Sequence, residues 1–152
     1  MKTGAKIPFF PYRLFFLYIE PISALLGAFF AARPAEYLSM ITMQSQQQRL
    51  AAPSPSPQVA ISLFQLSNLY VLFALNECLV LSSTESLRTW RRLLFCLLVA
   101  DIGHLATMHP LGVDAYWRFW DWNAMMWGSI GFVYMGAAMR LSFLAASGRR
   151  KA

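Results

Sequence analysis

Charge is scarce in this 152-residue chain: charged residues make up 13% of it, about half the share of a typical soluble domain. Hydrophobic residues make up 57%, more apolar surface than a soluble fold of this size can hide, so lipid is expected to be part of its solvent. Cysteine is scarcer still. Cys78 and Cys96 both lie inside apolar runs, and there is no CxxC, which argues against a disulfide framework and against a zinc or redox signature. Histidine occurs only as His104 and His109, and the carboxylates are scattered without ligand spacing, so neither a metal nor a cofactor is expected. The net charge is +6, but the basic residues stand in short clusters between apolar runs and form no continuous basic face. That pattern speaks against nucleic acid and for membrane topology and anionic headgroups.

What the chain does have is long apolar runs. A membrane-crossing helix needs about 20 predominantly apolar residues, and four stretches meet or approach that length: 11–32, 59–82, 93–109 and 123–146. The expected fold is therefore all-α, a single polytopic domain built as a four-helix transmembrane bundle. Lys2 and Lys6 precede the first run and Arg13 stands at its start, in the manner of a signal peptide. Its length and its Glu20-Pro21 pair instead predict a retained first span. Segment 42–58, with its Gln46-Gln47-Gln48 run and alternating Pro53, Pro55 and Pro57, reads as a flexible linker of polyproline character. Between the last two runs, Tyr116, Trp117, Phe119, Trp120 and Trp122 crowd one loop, which is expected to lie along the headgroup layer.

Lysine and arginine decide the orientation. Lys2, Lys6, Arg13, Arg88, Arg91, Arg92, Arg149, Arg150 and Lys151 fall on one side, against Arg33, Arg49 and Arg118 on the other. Nine against three predicts cytosolic N- and C-termini, and the expected membrane is the endoplasmic reticulum.

Ionisable groups inside the runs are costly, roughly 2.5–3.5 kcal/mol each on insertion scales, and normally face a partner or a cavity. From the rise of a helix, Glu20, Asn68 and Asp101 fall at similar depth, and His104 stands one turn from Asp101 on the same helix face. This suggests an acid, Glu20, and a base, His104, with Asp101 holding the imidazole in one tautomer. Such a pair suits isomerisation or cyclisation of a lipophilic substrate bound by Asn68, Tyr18, Trp122, Asn123 and Trp127, whose rings could shield cationic character. Glu77 and Arg140, nearer the cytosolic ends of their runs, are expected to form a structural ion pair. Small residues at Ser23, Gly27 and Ala31, and at Ala124 and Gly128, form stripes that favour close helix packing.

Several segments resemble a fungal family of small four-span membrane proteins. They are PYRLFFLYIEPISA from Pro11 to Ala24, ADIGH from Ala100 to His104, HPLG from His109 to Gly112, Trp122-Asn123, and GFVYMGAAMR from Gly131 to Arg140. The resemblance covers most of the chain except the linker. It implies the four-span topology and a fungal source; the family is a domain of unknown function, with members sometimes near secondary-metabolite genes. Its final span carries an acidic residue after the Trp-Asn pair, where this chain has Ala124, Met125, Met126 and Trp127. In architecture and residue type alone, the chain is also similar to sterol isomerase-like proteins and meroterpenoid cyclases.

The expected function is thus a membrane-embedded acid/base enzyme of isomerase or cyclase type, acting on a terpenoid or polyketide intermediate. A non-catalytic scaffold or accessory subunit for biosynthetic enzymes is the alternative, and a small transporter subunit the third. Expected partners are membrane lipids, a lipophilic small molecule, and a second copy or biosynthetic enzymes.

Overall fold

The structure is a computed structural model and describes residues 10–148. The described residues are helical and turn segments, with no strand among them. Four helices are long and apolar enough to cross a membrane: Phe10–Ala31, Pro57–Leu81, Leu87–Leu111 and Ala124–Gly148. They fit a small four-span integral membrane protein. Three of the four start on a side-chain cap. Ser56 Oγ accepts from the Val59 amide at 3.4 Å, with Pro57 just inside the helix. Ser86 Oγ accepts from Thr89 at 3.3 Å, and Asn123 Oδ1 from Met126 at 2.9 Å. Each satisfies an amide that has no partner within its helix.

The first span packs mainly on the second and the third on the fourth. Ser67 Oγ of the second span donates to the Ala28 carbonyl at 2.8 Å, and Gly27 leaves room for the Tyr70 ring, which a Cβ there would meet at 3.3 Å. Two apolar clusters close the two ends. One gathers Phe15, Phe16, Leu81, Trp90, Leu94, Leu97 and Phe143; it marks the end where the described chain starts and stops, and is called the terminal end below. The other gathers Ala31, Tyr37, Leu63, Met108, Met126 and Ile130 at the opposite, loop end.

Three spans are irregular in the same way. Phe15–Ile19, Asn76–Leu81 and Trp127–Gly131 are π-helical, a widened turn that is common at functional sites. The first has a local cause. Pro21 comes two residues after it and carries no N–H for the Leu17 carbonyl one turn back. The Cys78 thiol of the second span points at that carbonyl instead, at 3.8 Å.

Three expectations change. Segment 42–58 is not without regular structure: Gln46–Ala51 is a short helix with a capping box between Ser45 and Gln48, and Pro57 already belongs to the second span. A further helix, Pro34–Ile41, comes after the first span; Pro34 fits its first turn, where no amide partner is required. The third span begins at Leu87 rather than at residue 93, because the Ser86 cap nucleates a turn whose arginines can reach beyond the apolar zone. The aromatic loop folds as three 3-10 turns, His109–Leu111, Val113–Tyr116 and Phe119–Asp121.

Candidate functional site

Each span delivers one charged residue to a single point. Arg140 of the fourth span donates from Nη1 to Asp101 Oδ2 at 2.7 Å and from Nη2 to Glu20 Oε1 at 2.7 Å and Glu77 Oε1 at 3.2 Å. No side chain of the four is more than 9% exposed. The guanidinium also lies 5.6 Å from the Phe16 ring centre and 5.5 Å from that of Phe73. Gly136 is what lets this happen. One turn before Arg140, a Cβ there would come within 2.8 Å of Arg140 Nη1 and 3.0 Å of Glu20 Oε1.

The cluster does not balance. Three carboxyls against one guanidinium leave two formal negative charges in surplus if every group is ionised. Glu20 Oε2, Glu77 Oε2 and Arg140 Nε have no hydrogen-bond partner within the described protein. Unpaired charge in a low-dielectric interior costs several kcal/mol per ion. Neutrality therefore requires bound protons, which a carboxyl can hold and a guanidinium cannot release.

A second polar group sits toward the loop end. His104 Nε2 is 3.0 Å from the Ser129 carbonyl oxygen. A carbonyl only accepts, so Nε2 carries the hydrogen, and the Nδ1 of a neutral ring keeps its lone pair. Tyr70 lies beside this ring, with centroids 6.4 Å apart. The Tyr37 hydroxyl is close to those of Tyr70 and Ser129, and burial pushes its pKa above the ordinary tyrosine value. Tyr37 is held there by Asn123, whose Nδ2 donates to the Met40 carbonyl at 2.6 Å and so pins the helix Pro34–Ile41 to the start of the fourth span.

The sequence-derived site is thus partly rearranged. Glu20 and Asp101 do meet, together with Glu77 and Arg140, so the supposed separate ion pair and the supposed acid belong to one cluster. Asp101 turns to Arg140 and makes no hydrogen bond to His104; a charge-assisted bond to a guanidinium outcompetes one to a neutral imidazole. The Ser129 carbonyl orients His104 in its place. Asn68 lies on the exposed face of its helix, away from the cluster. Tyr18 and Trp127 are 61% and 51% exposed on the bundle exterior. Trp122 donates from Nε1 to the Ala115 carbonyl at 2.9 Å and stacks edge-on with Trp127 at 5.0 Å over Gly131. Asn123 acts as a cap and a clamp.

Sequence reasoning missed Tyr37, Tyr70 and Ser129. Tyr37 lies outside the apolar runs, Tyr70 is one tyrosine among many apolar neighbours, and Ser129 contributes a backbone atom that no side-chain pattern signals. The gathering on Arg140 had a signal: three acids lie well inside the apolar runs, and Arg140 is the one arginine that does so too. Among the described residues, no group of His, Cys, Asp and Glu is arranged to hold a metal ion.

A family described as a domain of unknown function, DUF7704, matches residues 4–149. No curated protein and no solved structure matched the chain. The family match spans nearly the whole sequence, and the chain belongs to that family.

Proposed function

We propose that this family member is a membrane-embedded acid/base catalyst of isomerase or cyclase type acting on a lipophilic substrate. One observation carries the reading: three buried carboxyls share one guanidinium, and two further oxygens of theirs have no hydrogen-bond partner. A carboxyl held neutral at membrane depth is an acid at the depth to which a lipophilic alkene partitions. Its proton adds to one alkene carbon using the π electrons, and the cation forms at the other carbon. Loss of a proton from a neighbouring carbon then gives the shifted double bond, or attack by a second alkene closes a ring before that loss. The proton taken up is returned, so the reaction is redox-neutral. His104 Nδ1 is the base proposed to receive it. The resemblance to a fungal family supports a terpenoid or polyketide intermediate of secondary metabolism as the substrate. The charge distribution supports cytosolic termini, and the endoplasmic reticulum is the membrane proposed for the chain.

The test uses deuterium. Membranes containing the full chain are incubated in D2O with lipid extract from the source cell. The expected result is a lipophilic product carrying one carbon-bound deuterium, reduced by about 10²–10⁴-fold in Glu20→Gln and in His104→Ala. Full labelling in both variants, or none with the unaltered protein, rejects the catalytic reading.

A scaffold or accessory role is the second reading, favoured by the outer face of the third span. Cys96, Ala100, Gly103 and Thr107 are all exposed there, and nothing lies within 4 Å of a Cβ built on Gly103. Small residues on a lipid-facing helix permit close approach of another span. On this reading Gly103→Leu abolishes co-purification with a second copy or a biosynthetic enzyme and leaves deuterium labelling absent throughout.

A further inference from the structure

The residues one turn to either side of the charged cluster differ in kind. Toward the terminal end, Glu20 is preceded by Phe16, Glu77 is followed by Leu81, Asp101 is preceded by Leu97 and Arg140 is followed by Phe143. All four are buried, and Trp90 and Leu94 complete the same layer. Every span thus sets an apolar side chain on that side of its charge. Toward the loop end the corresponding positions include Gly136 before Arg140 and His104 after Asp101, and Tyr70 stands two turns from Glu77. Beyond them lie the Ser129 carbonyl and the Tyr37 hydroxyl. Toward the terminal end the hydroxyls of Tyr12 and Ser147 lie beyond this apolar layer, whereas on the loop side His104 follows Asp101 directly, one turn away.

We infer that the acid cluster exchanges its proton with the loop end of the bundle alone, by way of His104, Tyr70 and Tyr37. The unpartnered Glu20 Oε2, Glu77 Oε2 and Arg140 Nε, each on a side chain at least nine-tenths buried, are where the file ends. Tyrosine hydroxyls both accept and donate, and the imidazole accepts at Nδ1 and donates at Nε2. Because Nε2–H stays on the Ser129 carbonyl, a proton received at His104 Nδ1 leaves from that same nitrogen to Asp101, one turn away on the same face, and is then shared among the carboxyls that Arg140 holds together. Only O–H and N–H bonds form or break. The titratable groups facing the route are Glu20, Glu77, Asp101, Arg140, His104, Tyr70 and Tyr37, drawn from all four spans and the helix Pro34–Ile41. The inference rests on proton storage in the cluster, which is part of the proposed function, and not on any reaction with a substrate.

Infrared spectroscopy of the full chain in liposomes tests it without a substrate. The stretch of a protonated carboxyl is expected in the unaltered protein and lost or reduced in Glu20→Gln or Glu77→Gln. On transfer to D2O that band shifts as the proton is replaced. Tyr70→Phe combined with His104→Gln is expected to slow the shift at least about tenfold, as for one lost hydrogen-bonded step. Tyr37→Phe, which removes one hydroxyl outside the spans, slows it in the same direction and serves if the double variant fails to fold. Leu97→Met, in the apolar layer, leaves the rate unchanged. An unaltered rate in both Tyr37→Phe and the folded double variant overturns the route. Absence of any protonated-carboxyl band sensitive to Glu20 or Glu77 overturns proton storage as well. A normal band and route with no deuterium-labelled lipid leaves this inference standing and rejects the catalytic reading.

Discussion

Arg140 is the residue on which the bundle interior depends, since all three buried carboxyls bond to it. Removing one partner of a buried ion pair typically costs about 3–5 kcal/mol, because the other is left charged and alone. Arg140→Met should therefore lower stability by about that amount in a detergent unfolding titration. Arg140→Met with Asp101→Asn should lose less than the sum of the single variants, since the second change removes a charge that the first one stranded. That ionisable residues at depth would matter was legible from their insertion cost alone. Their partners were not. An arginine side chain reaches further than a depth estimate from Cα positions allows, so Glu77 and Arg140 joined Glu20 and Asp101. Asn68 shows the converse error. At matching depth it faces outward, and depth without direction does not place a side chain in a site.

Direction was illegible because the elements themselves hide it. In lipid a helix can be apolar on every side, so the 3.6-residue period that marks the buried face of a soluble helix fades. Widened turns in three of the four spans also rotate the residues beyond them, and of these only the one before Pro21 had a sequence signature. Helix ends were better signalled: Ser56, Ser86 and Asn123 are all typical N-cap residues. Asn123 does two jobs at once, capping the fourth span and clamping the Met40 carbonyl. Asn123→Ala should cost about 1–3 kcal/mol, a lost cap plus a lost side-chain hydrogen bond. Amide hydrogen exchange should rise across Pro34–Ile41 more than across the third span. Equal protection in both helices would mean that the clamp does not hold the short helix down.

Across the whole molecule, composition and run length were enough for the four-span topology, because the hydrocarbon thickness fixes how long an apolar helix must be. The short helices Pro34–Ile41 and Gln46–Ala51 escaped for lack of any such length constraint. Orientation is predicted by charge distribution and can be read chemically. An acceptor site for N-glycosylation built into residues 52–56 should be modified in cells, and one appended after Ala152 should not. The reverse pattern would invert the bundle.

The apolar layer of Phe16, Leu81, Leu97 and Phe143 also has an electrical consequence. A transmembrane potential falls mostly across the least polarisable part of its path and acts on a charge by the fraction of the drop that the charge crosses, about 2.3 kcal/mol per elementary charge per 100 mV for the whole. With the polar file on one side and this layer on the other, the carboxyls sit near the loop end of the field. A proton reaching them crosses little of the voltage. Membrane potential should leave their occupancy nearly unchanged, while the pH of the loop-side compartment sets it.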